Sequence, residues 1–164
     1  MKMHWKELLQ YSDGRVVVCP FGLWSVNEKL NIYSPHTMAA SVFSDHQDNE
    51  GGSVLCDFIV ASEWFASNLR SDDIIFMKIN CEGSECTIIE NLVRSDELRK
   101  VTSFMIDFDA YKIPSQRHAP VRLLHLLDQH KYYNFVTCEQ VMHGATHFDR
   151  ICNWIGKTNI NKHG

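Results

Sequence analysis

The sequence contains no apolar run near the roughly 18 residues a membrane-crossing helix needs. Its opening, Met1-Lys2-Met3-His4-Trp5-Lys6-Glu7, has no apolar signal-peptide core. Both absences point to a cytoplasmic chain with no membrane partner. Positive charge is not in excess: 16 Lys and Arg face 20 Asp and Glu, for a net charge of -4. The footprint of a nucleic-acid binder is therefore missing. Six cysteines occur without one C-x-x-C pair, unlike a zinc ribbon or a secreted disulfide framework, so most read as small core hydrophobes. Cys81 and Cys86 are close enough in sequence to leave a redox or metal role open. No G-x-G-x-x-G or Walker pattern is present, and Gly51-Gly52, with no strand leading into it, reads as a turn. No repeat, low-complexity tract or dividing linker breaks the 164 residues, so residues 1–164 form one domain.

What is present is an alternation of short strands and helices. Trp5, Leu8, Leu9 and Tyr11 have the spacing of a helix tail that ends at Ser12-Asp13-Gly14. Arg15 to Cys19 is a β-branched run with no polar face, which predicts a buried strand broken by Pro20 and Gly22. Leu30 to Tyr33 alternates as a half-exposed, antiparallel strand would, and the polar stretch from Ser34 to Ser53 reads as an irregular excursion. Strands are predicted over Val54–Ile59, Ile74–Ile79 and Ser103–Phe108. Helices are predicted over Glu63–Leu69, with Trp64, Phe65 and Leu69 inward, and over Ser84–Val93. A further helix follows Pro120, with Val121, Leu124 and Leu127 as its apolar face. Tyr132–Thr137 and Ile151–Ile155 are weaker strand candidates. This order predicts an α/β domain whose sheet is mostly parallel with flanking helices.

In such sheets ligands sit beyond the carboxyl ends of the strands. Two endings attract attention. Lys78-Ile79-Asn80-Cys81-Glu82-Gly83-Ser84-Glu85 terminates a buried strand in polar groups, turns, and launches a helix. Lys78 and Asn80 share a side opposite Ile79. Glu82 and Glu85 could simply favour the helix N-terminus while Lys78 reaches water; alternatively Asn80 and Glu82 line a crevice. At the second ending, Asp107-Phe108-Asp109, both carboxylates face one side if the strand continues that far, which suits proton transfer from a hydroxyl or a plain solvated terminus equally. With Glu82 and His118 they would make an oxygen-rich set for magnesium, but no ligand spacing enforces it. His143 and His147 have the spacing of a helical zinc pair, yet Gly144 and the missing adjacent Glu favour a loop. The four tryptophans are dispersed like core or rim aromatics.

The run Ile74 to Glu85, followed by an apolar helix through Ile88, Ile89 and Leu92, resembles the signature of the FkbM-type methyltransferase family: a strand ending in Lys-Ile-Asp or Lys-Ile-Asn, then Glu-Gly and a further Glu opening a helix. The similarity extends in order over Val18–Leu23, Asp57–Phe65 and Phe104–Pro114, and covers the chain from about Arg15 to Ile155. The resemblance implies a Rossmann-like sheet and transfer of a methyl group from S-adenosylmethionine, typically to a hydroxyl oxygen of a small molecule or sugar. It places Asn80 beside the reactive methyl, gives Glu82 the turn, and makes Asp107 or Asp109 the group that orients the acceptor or takes its proton, Asp107 being deeper in the predicted strand. The family's amino-terminal strands, with the Gly-rich turn and the acidic strand end that hold the cofactor, have no counterpart here. The expectation is thus a partial methyltransferase sheet that binds S-adenosylmethionine if the site is completed. The competing expectation is a non-catalytic module whose open sheet is completed by self-association or by a partner chain.

Overall fold

The computed structural model describes residues 16–141, 144 and 146–157. The predicted helix tail at Trp5–Tyr11 lies outside the described residues, as do Arg15 and His143. Among the described residues six strands fall into two three-stranded sheets. The first has the order β1-β3-β2, built from β1 (Gly22–Trp24), β2 (Glu28–Tyr33) and β3 (Ser53–Val60). β1 runs parallel to β3, and β2 runs antiparallel with Leu30 opposite Cys56, as its apolar-polar alternation suggested. Residues 34–52 are turns and bends with one antiparallel bridge, Tyr33 to Ser41.

The β-branched run at 16–19 forms no strand: Val17 is 83% exposed, and strand structure begins only at Gly22. Propensity without a face to bury does not make a strand. Gly22 itself is required by close approach, since a Cβ there would lie 2.1 Å from the Phe58 ring.

The second sheet is parallel throughout, in the order β4 (Phe76–Ile79), β5 (Ser103–Ile106), β6 (Phe135–Thr137). All four residues of β5 are buried, the condition of a central parallel strand covered on both faces. On one face Ile79, Phe104 and Ile106 pack against Ile89 and Leu92 of α2 (Glu85–Arg94) and against Leu123 and Leu127 of α3 (Ala119–Gln129). The same core takes in Phe65 of α1 (Ala61–Asn68). On the other face Met105 and Val136 meet Trp154 of α4 (His147–Lys157). The Trp154 ring stands edge-on to Phe76 at 5.7 Å, and its indole N–H donates to the Ser103 hydroxyl at 3.0 Å. Ile151–Ile155 is therefore helical rather than a strand, because Ile151 and Trp154, three apart, belong to one helix face. The start of α4 likewise places His147 in a helix rather than a loop.

The domain is thus mixed α/β, with a three-stranded parallel sheet flanked by helices. Three of the four strand pairings described are parallel. Where one sheet was expected there are two, which share a core but exchange no strand hydrogen bonds. Among the described residues no helix is long and apolar enough to cross a membrane.

The buried face of α3 also differs from expectation. Ala119, Pro120, Leu123 and Leu127 point inward, whereas Val121 and Leu124 are 51% and 37% exposed. Leu123→Ala should therefore lower unfolding free energy by about 3 kcal/mol and Val121→Ala by less than about 1 kcal/mol. Urea denaturation of the two variants checks this; equal losses would place the buried face where the sequence spacing put it.

Candidate functional site

β4 ends as the alternation requires, with Ile79 buried and Lys78 and Asn80 exposed. The chain then reverses through two consecutive left-handed residues, Glu82 at φ 45° and Gly83 at φ 101°. Gly83 has no alternative, because a Cβ there would stand 2.0 Å from Ile113 Cδ1. Glu82 has a side chain and is strained in that region. Two contacts from the 34–52 excursion hold it: the Ser41 hydroxyl donates to its carbonyl at 2.6 Å, and His46 Nε2 lies 3.2 Å from its carboxylate.

Glu85, the first residue of α2, is fully buried and faces no cation within salt-bridge distance among the described residues. One carboxylate oxygen accepts the Gly83 N–H at 2.9 Å and the other accepts the Ala110 N–H at 2.8 Å. Burial raises its pKa, and the backbone donors oppose the rise. The side chain read as a helix-terminus charge therefore ties the exit of β4 to the exit of β5.

That tie brings Asp109 to Asn80. The Asn80 amide donates to Asp109 Oδ2 at 2.6 Å, while Lys112 Nζ sits 2.6 Å from Oδ1 and 3.7 Å from the Glu82 carboxylate. Asp107 is not part of this group. β5 stops at Ile106, and Asp109 has helical dihedrals (φ -85°, ψ -10°), so the two carboxylates do not share a strand face. The Asp107 carboxylate instead faces the Cys138 thiol, whose pKa is pushed up by burial first and by Asp107 second.

The rim opens on a cavity of about 570 Å³. Its walls come from both sheets and from α1, and include Leu23, Ile32, Val42, Phe58, Trp64 and Met77. Its polar lining is confined to the strand exit, Lys78 to Ser84. Of the four residues singled out from the sequence, Asn80 and Glu82 line this cavity, Asp109 stands behind Asn80, and Asp107 is beside Cys138 and outside the lining. His118 is exposed and receives a hydrogen bond from Arg117, apart from the cluster. Among the described residues no three His, Cys, Asp or Glu side chains gather to hold a metal ion. Cys81 and Cys86 are both free thiols, and burial pushes the Cys86 thiol up, away from thiolate chemistry.

Glu82 is itself shifted upward, by burial first and the Asp109 charge second, against the opposing pull of Lys112 and His46. Lys112 is raised, chiefly by its hydrogen bond to Asp109. Sequence reasoning missed His46, Lys112 and the clamp role of Glu85. The only local signal was the three-residue spacing of Asp109 and Lys112; His46 joins Glu82 across 36 positions.

Comparison with family models, with curated proteins and with solved structures finds no match for this chain.

Glu85→Ala leaves two buried N–H groups without acceptors and should cost about 3 to 4 kcal/mol. Glu85→Gln, which turns an amide donor toward one of them, should cost about 1 to 3 kcal/mol. Because the native carboxyl is raised, the folded state holds its proton more tightly than the unfolded chain does. That contribution is present in acid and lost as pH rises through the native value. Wild type should therefore lose stability relative to Glu85→Gln as pH rises from the ordinary glutamate value through the raised native one, which paired denaturation curves measure.

Proposed function

We propose that this chain supplies the acceptor-facing rim of an S-adenosylmethionine-dependent O-methyltransferase of the FkbM type, with a Rossmann-like sheet. One observation carries the reading. Asn80 and Glu82 leave a parallel strand at its carboxyl end and open onto a cavity, and Asn80 is held by Asp109 from the turn after the neighbouring strand, the place where parallel α/β sheets hold ligands.

The cofactor supplies an electrophilic methyl carried on a sulfonium cation. Of the described residues, Glu82 is the carboxylate that lines the cavity and the one that could face its charged end. The described residues provide neither a Gly-rich turn at a strand end nor a carboxylate for a ribose on the apolar wall. The rim residues orient an acceptor hydroxyl. Asn80, fixed by Asp109, presents its remaining polar atoms to the cavity. No nucleophilic side chain is needed, since positioning accounts for much of the rate in a direct displacement.

Calorimetry tests the reading. S-adenosylmethionine should give saturable heat and bind more tightly than its demethylated product, which lacks the positive sulfur. No heat from a folded sample, or equal affinities, would overturn it.

A second reading, a non-catalytic assembly module, draws on the open edges. Among the described residues β1 is paired only with β3 and β4 only with β5, and residues of both strands line the cavity. Unpaired edges seek strands. Self-association on sizing chromatography with light scattering is its expected outcome, and a clean monomer across about a hundredfold range of concentration counts against it.

A further inference from the structure

We infer that the cavity receives a hydroxyl compound with an apolar body, and that Glu82, positioned by His46, is the group that accepts the hydroxyl proton. The inference rests on the methyl-transfer reading for its chemistry. It names a different base from the Asp107–Asp109 pair and a narrower acceptor class than small molecules and sugars in general.

Geometry selects Glu82. Asp109 has both oxygens engaged, one by Asn80 and one by the Lys112 ammonium, and does not line the cavity. Asp107 faces Cys138. Glu82 lines the cavity and has both neighbours on the same oxygen: His46 Nε2 and Lys112 Nζ approach Oε2, and among the described residues none donates to Oε1. His46 is buried, and its Nδ1 accepts the Asp48 N–H at 3.1 Å. That bond assigns the ring proton to Nε2, so His46 donates to the carboxylate rather than competing for the proton. The groups facing Glu82 are thus His46 from the excursion, and Asp109 and Lys112 from the turn after β5. Burial and Asp109 raise its affinity for a proton toward that needed by a general base.

The walls select the ligand. Aromatic and aliphatic side chains line the cavity away from the strand exit, and its polar groups are gathered at that one end, which suits a ring or short chain with one polar end better than a sugar with hydroxyls around its whole ring. In the transfer, the acceptor O–H bond breaks, its proton goes to Glu82 Oε1 and its electron pair to oxygen. That oxygen forms the new bond to the methyl carbon as the carbon–sulfur bond breaks, and the sulfonium leaves as a neutral thioether.

The test uses 2-naphthol as an apolar hydroxyl probe and methyl glucoside as a polar one, with carboxyl carbon NMR of the unmodified chain. Addition of 2-naphthol should move the Glu82 carboxyl resonance, and methyl glucoside should not. Binding of 2-naphthol should weaken as pH falls through the Glu82 midpoint, and weaken about tenfold or more in Glu82→Gln. The Glu82 midpoint should lie above an ordinary glutamate, fall in Asp109→Asn, and rise in His46→Leu with recovery in His46→Gln, which keeps a donor. An unmoved Glu82 resonance, preferential binding of methyl glucoside, or loss of 2-naphthol binding in Asp107→Asn but not Glu82→Gln would overturn the inference. None of these readings uses S-adenosylmethionine, so they stand apart from the calorimetric test of methyl transfer.

Discussion

The buried carboxylate of Glu85 is the constraint on which the rim depends. A side chain with no exposure must have each oxygen matched, and here each is matched by a backbone N–H from a different strand exit, Gly83 after β4 and Ala110 after β5. Parallel pairing aligns β4 and β5 only as far as Ile79 and Ile106. Beyond that point the ladder ends, and the two turns would be free to move independently. The carboxylate replaces the missing ladder bonds. Its desolvation is costly, and two charge-assisted hydrogen bonds offset that cost only while both turns stay in place. Loosening either turn exposes the penalty, which makes the arrangement close to all-or-none.

With the turns locked, the electrostatics divide the three carboxylates of the rim by role. Glu85 is structural. Asp109 is neutralised by Lys112 and serves to fix Asn80. Glu82, in a strained backbone conformation, is the one that meets the cavity. The strain is maintained by the excursion between β2 and β3, which anchors itself at both turns: Ser41 on the Glu82 carbonyl, and Asp45 on the Ser115 backbone N–H at 2.8 Å and hydroxyl at 3.1 Å. A segment without regular secondary structure thus acts as a strap across the site, and its length follows from the two turns it has to reach.

What could be read in the sequence followed burial. β5 and α2 were legible because residues such as Phe104, Ile106, Ile89 and Leu92 sit inside on every side that their periodicity marks. The run at 16–19 is as apolar and has no covering layer among the described residues. α4 was misread because the short run Ile151–Ile155 satisfies strand and helix patterns alike, and the decision rests on where Trp154 finds Phe76 and Ser103. At the site, the strand-end rule located Asn80 and Glu82. The spacing of Asp107 and Asp109 misled because it assumed a strand that stops at Ile106. His46 was out of reach of any local rule, since its role is created by the fold.

The cavity has to be explained, because it leaves apolar side chains of both sheets without packing partners. Its walls are two strand edges as well as apolar side chains, so a strand and a small ligand compete for one space. Two features weigh on the competition. Lys78, on the open edge of β4, keeps its side chain exposed, the kind of charge that discourages a foreign strand. Glu82 lines the same space, and an inserted strand would bury its carboxylate further unless it brought a donor to Oε1. An occupant with a single hydroxyl meets the carboxylate with one hydrogen bond and the walls with its apolar body. A strand would meet the open backbone edges instead. Apolar walls with one acidic end therefore favour the small ligand on the Glu82 side of the space and leave strand pairing to the β1 side, where Gly22 and Leu23 offer no charge to oppose it.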